Sequence, residues 1–252
     1  MKKLLCCLLL LTALPLFAQS SLEVAYEVSK YNYREPDGNS PISLKGHMQG
    51  ASLRYEVRTD ASLFYAVDGR WMGGTTDYDG WLMTKPPQKY TFDDIGDYYY
   101  EARLHMGRMA DLSERARFWW TIGLGYRYLK DHMNKAPAGY LRESNYVYMP
   151  VMGGYRYLGG VWELDLRGEL DYLLCGWQNS HMKSGKIRHD QHEGYGFRLS
   201  AKLQINLDGH KSGLFVEPFY RFWEIQDSES SGGYMEPHNK TEELGLRVGV
   251  TF

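Results

Sequence analysis

Between residues 195 and 207 apolar and polar side chains alternate without a break. Tyr195, Phe197, Leu199, Ala201, Leu203, Ile205 and Leu207 fall on one face, and Arg198, Ser200, Lys202, Gln204 and Asn206 on the other. In an extended strand successive side chains point to opposite sides, so this pattern demands an apolar medium on one side and a polar one on the other. Residues 162–174 repeat it, with Trp162, Leu164, Leu166, Leu170, Tyr172 and Leu174 opposite Glu163, Asp165, Arg167, Glu169 and Asp171. Residues 116–128 do likewise, with Phe118, Trp120, Ile122, Leu124, Tyr126 and Tyr128 opposite Arg117, Thr121, Gly123, Gly125 and Arg127. A soluble sandwich also alternates, but its polar face meets water and carries well-separated charges, not five within thirteen residues.

Ten such segments can be read, at roughly 21–32, 43–58, 61–72, 97–108, 115–129, 145–157, 161–174, 194–207, 213–225 and 241–252. Their connections alternate between long (near 34–42, 73–96, 130–144, 175–193 and 226–240) and short (near 59–60, 109–114, 158–160 and 208–212). That rhythm predicts an all-β fold, a ten-stranded antiparallel up-and-down transmembrane β-barrel with both termini at the short-turn end. The physical reason is backbone chemistry: a closed sheet bonds every N–H and C=O that faces hydrocarbon and leaves no edge. Beyond residue 20 no apolar run approaches the ~18 residues of a spanning helix, so a helical membrane protein is excluded. Collagen-like, disulfide-rich and disordered classes fail too, with glycine aperiodic, three cysteines in 252 residues, and aromatics throughout.

The chain opens with Met1-Lys2-Lys3, an apolar stretch from Leu4 to Phe17, and Ala18 before Gln19. This is the layout of a secretory signal peptide over 1–18, leaving 19–252 as the barrel domain. Cys6 and Cys7 lie early in the apolar stretch, not after it, which argues against lipidation. The mature chain keeps Cys175 alone, so no internal disulfide is expected. Loss of Lys2 and Lys3 leaves 27 basic against 31 acidic residues, and nothing in that balance suggests a nucleic-acid partner.

Taking the polar face of each strand as inward gives a lumen with eleven acids: Glu23, Glu27, Glu56, Asp68, Glu101, Glu163, Asp165, Glu169, Asp171, Glu217 and Glu243. Eleven bases face them: Arg54, Arg70, Arg103, Arg117, Arg127, Arg156, Arg167, Arg198, Lys202, Arg221 and Arg247. Unpaired charges in a narrow interior cost several kcal/mol each, whereas arginine forks satisfy carboxylates two bonds at a time. The balanced set predicts a lumen closed by salt bridges, with a small selective channel as an alternative. Tyrosine clusters, Tyr98-Tyr99-Tyr100, Tyr126 with Tyr128, Tyr146 with Tyr148 and Tyr155 with Tyr157, lie at strand ends and are expected in interfacial girdles. His105 is expected inside as a hydrogen-bonded residue, and Arg58, Arg108 and Lys130 at the rim. His181, His189 and His192 lack firm ligand spacing, so no metal and no cofactor is expected.

The last strand places Leu244, Leu246, Val248, Val250 and the terminal Phe252 on one face. It resembles the C-terminal signature strand of bacterial outer-membrane proteins, with Phe252 as the assembly signal. Together with Tyr33-Arg34-Glu35-Pro36, Gly123-Leu124-Gly125-Tyr126-Arg127 and Gly194-Tyr195-Gly196, the mature chain resembles a porin-like group of outer-membrane β-barrels. The resemblance implies a Gram-negative outer membrane, lipid and lipopolysaccharide as surroundings, and the barrel-assembly machinery as a partner; the chain is taken as a monomer.

A narrower resemblance is to the omptins, ten-stranded surface proteases that hold a water between an Asp/Asp and an Asp/His pair on facing loops. Asp77-Tyr78-Asp79 on the second external loop and Asp190-Gln191-His192 on the fourth match that layout in order and type. The resemblance implies that His192 takes a proton from water, Asp190 orients the imidazole, and Asp77 with Asp79 positions the water. Two functions thus stand beside each other: a non-enzymatic barrel with surface-interacting loops, which leads, and an omptin-like endopeptidase.

Overall fold

The computed structural model describes residues 19–36, 41–59, 62–82, 88–136, 139–183, 185–207 and 212–252. The expected signal peptide lies outside the described residues. Alternation becomes eleven strands: β1 (Gln19–Glu35), β2 (Ile42–Arg58), β3 (Leu63–Leu82), β4 (Gln88–Asp111), β5 (Ala116–Asp131), β6 (Leu141–Leu158), β7 (Trp162–Met182), β8 (Gly185–Gln191), β9 (Gly194–Asn206), β10 (Gly213–Ile225) and β11 (Asn239–Thr251). β8 and β9 follow one another with only residues 192–193 between them, and both pair with β7, its upper part with β8 and its lower part with β9. They are two halves of one stave, so the barrel has ten. Each stave is antiparallel to the next in chain order, and β1 closes the cylinder against β11, Val24 opposite Val250 and Val28 opposite Leu246.

At the closure Leu22 donates its N–H to the Phe252 carbonyl at 3.0 Å, and Phe252 returns the bond at 2.9 Å. The C-terminal residue is therefore stitched to the first strand. Outward positions form the apolar belt that the alternation demands: Val24, Leu53, Leu104, Leu124, Leu166, Leu199 and Leu246 are all exposed, and Leu170 is 67% exposed. At the loop-rich end, the external end in barrels of this kind, Tyr98, Tyr100, Tyr126 and Tyr128 pack outside as a girdle, with Tyr100 and Tyr128 stacked 4.9 Å apart. At the opposite end Tyr157 meets Trp162 at 5.4 Å.

Two expectations need correction. Tyr99, Tyr146 and Tyr148 are not in the girdle but buried inside, Tyr99 stacked on Tyr31 and the other two stacked on and edge-on to Trp223. A Cβ on Gly125 would run into the Tyr148 ring, and one on Gly196 would meet Trp223. Those two glycines leave slots in the wall, and inward rings fill them. The segments 73–96 and 175–193 are not loops through most of their length: β3 has 20 residues, β4 has 24 and β7 has 21. A tilted strand needs only ~9–11 residues to cross a bilayer, so the barrel wall projects well beyond the external girdle. On β7 a bulge lies where Val147 pairs Cys175 and Tyr148 pairs Leu173, which turns Leu174 and Cys175 both outward.

Candidate functional site: the barrel interior and its external mouth

Because outward positions are taken by lipid-facing residues, every inward position contributes to one narrow interior. Of the 22 lumen charges, all but Arg117, Glu163 and Arg167 are buried. They are joined in layers. Near the short-turn end Arg156 reaches Asp165 at 2.8 Å and Glu163 at 3.0 Å, and Lys202 reaches Glu23 at 2.6 Å. In the middle Arg103 holds both oxygens of Glu169 (2.7 and 2.9 Å) and also bonds Asp68, which takes Arg54 at 3.0 Å. Higher up Arg70 ties Glu27 to Glu243 (3.0 Å to the latter), and Arg221 donates to Glu101. Tyr99 donates its hydroxyl to Glu243, and His105 lies 3.1 Å from Asp68.

Apolar layers flank the charges. Tyr31, Met48, Met72 and Tyr99 form one cluster and Tyr146, Tyr148, Leu173, Trp223 and Ile225 another, both above the charged middle. Phe64, Trp119 and Met152 close part of the lower side, where the Trp119 indole donates to Asp165 at 3.1 Å. Two cavities among the described residues of the interior are small, about 30 and 40 Å³. Each admits one or two waters. A wider vestibule of about 920 Å³ opens at the short-turn end, beside Arg58, Arg117 and Trp162.

The external mouth holds a second polar constellation that does not follow from any single strand. Arg142, at the start of β6, bonds Asp131 at 2.7 and 2.9 Å, Glu35 at 2.7 Å and Glu236 at 3.4 Å. Its guanidinium also lies 5.1 Å above the Tyr33 ring. Asp97 sits beside them and accepts from Thr76 at 2.7 Å. Among the described residues, four carboxylates around the Arg142 guanidinium leave the cluster short of positive charge. Glu236, on the connection between β10 and β11, is pushed up to about 8 by burial and by the neighbouring Glu35 carboxylate, against the pull of Arg142. Sequence reading missed Glu35, Asp97, Asp131, Arg142 and Glu236 as a group because they converge from five separate stretches; the only signal was their position at strand ends.

The omptin-like residues are placed as follows. Asp77 and Asp79 lie on β3, exposed and alternating with the buried Thr76 and Tyr78. Asp77 accepts the backbone N–H of Asp94 at 3.2 Å, at a register shift where Asp94 has φ 60°. Asp79 pairs with Lys89 at 3.1 Å. Asp190, on β8, accepts from Arg188 at 2.7 Å, and the exposed His192 lies 3.3 Å from Glu229. Among the described residues no group of three or more His, Cys, Asp or Glu is placed to hold a metal ion.

Comparison of the fold with solved structures finds bacterial outer-membrane β-barrels. The outer membrane protease OmpT of Escherichia coli superposes with a TM-score of 0.61 at 10% identity, over 92% of this chain and 96% of that one. Neisserial surface protein A gives 0.38 at 12% identity over 92% and 97%. The Yersinia pestis attachment invasion locus protein Ail, in complex with the heparin analogue sucrose octasulfate, gives 0.37 at 9% over 93% and 99%. No family model and no curated protein sequence matches the chain. The likeness establishes the outer-membrane β-barrel fold, shared with the omptin barrel.

Proposed function

We propose that the protein is a monomeric, structural outer-membrane barrel whose interior is closed by ion pairs and whose projecting external wall and loops carry its surface interactions. The observation that carries this reading is the filled lumen. Paired charges occupy its middle, aromatic layers cap them, and the cavities left between are water-sized. Lipid and lipopolysaccharide are the surroundings that the apolar belt and tyrosine girdle suit. Planar-bilayer recording tests the closure: the bare membrane conductance is expected at every voltage, and steady unitary steps would overturn it.

The endopeptidase reading has the omptin-like fold in its favour and requires Asp77, Asp79, Asp190 and His192 to meet at one water. Against it, Asp79, Asp190 and His192 are engaged with Lys89, Arg188 and Glu229, and Asp77 supports a backbone irregularity. Incubation of the refolded barrel with lipopolysaccharide and a dibasic fluorogenic peptide separates the two. No turnover is expected, whereas cleavage abolished by Asp77→Asn and by His192→Ala would favour the protease.

A further inference from the structure

The outer wall carries a recess of about 890 Å³ across β1 to β4, level with the external tyrosine girdle. Three outward rows, fixed by strand register, build it. Tyr26, Ala51, Trp71 and Tyr100 stand side by side; two residues higher come Val28, Gln49, Gly73 and Tyr98, and two higher again Lys30, His47, Thr75 and Gly96. Tyr26 and Trp71 are each 54% exposed and rise on either side of Ala51, leaving a slot between two rings. Above it the floor stays low at Gly73 and Gly96. The backbone does not demand glycine at either place: a Cβ on Gly96 would meet only the Lys135 ammonium, at 3.5 Å, and one on Gly73 would touch the Trp71 ring at 3.4 Å. What these glycines keep is space outside the sheet.

The upper margin of the recess is basic. Lys135, on the β5–β6 connection, overhangs Gly96, and His132 donates its Nδ1–H to the Gly96 carbonyl at 2.7 Å. Lys30 and His47 continue the row, with Lys45 next above on β2. Neighbouring strands lie ~4.8 Å apart, so the row from Lys30 to Lys135 spans ~15 Å. Lys30, Lys45 and Lys135 are exposed, and none forms an ion pair among the described residues. Elsewhere on the external wall Arg34, Lys89, Lys130, Arg188 and Lys240 each meet a carboxylate. The acids of this sector begin above the row: Asp79 is taken by Lys89, and Asp77, opposite Lys45 in register, accepts the Asp94 N–H. Asp97, beside Gly96, turns inward to Thr76. From the membrane outward the recess therefore runs apolar slot, aromatic rim, unpaired cations, which is the order of acyl chain, interfacial region and phosphate in a lipid.

We infer that this recess binds a phosphate-bearing lipid of the external leaflet, an acyl chain lying over Ala51 between Tyr26 and Trp71 and a phosphate held by Lys135 and His132, with Lys30 as the cation of the opposite margin. The site rests on the lipid-embedded barrel proposed above. Free phosphate would have no use for the apolar slot.

Native mass spectrometry of the full mature barrel, released from zwitterionic-detergent micelles carrying diphosphoryl lipid A, tests this. A single lipid adduct is expected, and a far weaker one with dephosphorylated lipid A; equal binding of the two, or no adduct on the folded wild type, would overturn the proposal. Lys30→Gln combined with Lys135→Gln is expected to weaken the adduct about 25-fold, at about fivefold per cation. Gly96→Leu, which fills the recess without changing charge, is expected to abolish it. Lys130→Gln, which removes a paired base from the same rim, is expected to leave it unchanged; a loss as large as that of the double variant would mean diffuse attraction and no site. Displacement of the lipid by equimolar inorganic phosphate, or a barrel dimer in place of the adduct, would likewise overturn it. Each variant is first checked for folding and insertion by circular dichroism in vesicles, so that failure of the barrel reading is seen apart from loss of the site.

Discussion

The interior ion pairs are expected to stabilise the barrel as partners, not as individual charges, and Arg221 is the place to test that. Both Arg221 and Glu101 are 1% exposed, and their bond is the shortest tie that Glu101 makes. Replacing Arg221 by Met keeps most of the volume and removes the charge. Among the described residues Glu101 then retains only Arg127 at 3.5 Å, and Asp171 loses its one ion pair, to Arg221 at 3.8 Å. Breaking a buried pair from one side costs roughly 3–5 kcal/mol, most of it the penalty for the stranded charge. Adding Glu101→Gln relieves part of that penalty, so the two substitutions are expected to couple by ~1–3 kcal/mol. Reversible urea unfolding in phospholipid vesicles, followed by fluorescence of the adjacent Trp223, gives both numbers; the Arg221 guanidinium lies 5.7 Å from that indole. A loss below ~1 kcal/mol for Arg221→Met, or strict additivity in the double variant, would refute the reasoning.

Three further outcomes are expected. Glu236 has a folded-state pKa raised to about 8, so between its unfolded value and pH 8 the native mouth binds more protons than the unfolded chain. Its contribution to stability falls as pH rises through that window; Glu236→Gln should flatten the pH dependence of hydrogen exchange across residues 226–238, and an unchanged slope would contradict the assignment. Gly196→Val forces a side chain into the Trp223 ring and should cost ~1–3 kcal/mol in vesicle unfolding, where a neutral result would deny the slot its role. Leu170→Arg, on the lipid face, should cost ~2–4 kcal/mol if the position lies near the bilayer midplane, as measured by the same unfolding; tolerance would place that face in water.

Much of this architecture was legible because one physical constraint acts at every position of every strand. Residues 195–207 and 162–174 show it plainly, and the structure places Arg198, Lys202, Asp165, Glu169 and Asp171 inside and Leu199 and Leu170 outside. The strand ends were not legible. Above the girdle neither face meets lipid, so alternation fades in segments such as 73–82 and 88–96 although the backbone pairing continues. Tyr146 and Tyr148 misled because a tyrosine suits an interface and a glycine-walled interior equally well; only the opposing Gly125 and Gly176 decide. The mouth cluster around Arg142 was hidden for a different reason. Its members are ordinary strand-end charges until closure brings β1, β4, β5, β6 and the β10–β11 connection together.

The most direct measurement for the account as a whole is collision accessibility of spin labels along β9, placed one at a time at 195–206 in a Cys175→Ser background and reconstituted in vesicles. Labels at Phe197, Leu199, Ala201 and Leu203 are expected to collide with oxygen dissolved in lipid and to be shielded from a water-soluble nickel complex. Labels at Arg198, Ser200 and Lys202 are expected to be shielded from both reagents. A period of two in oxygen accessibility with that phase supports a lipid-embedded barrel with a filled interior. Free access of the nickel complex to Leu199 and Leu203 would contradict it.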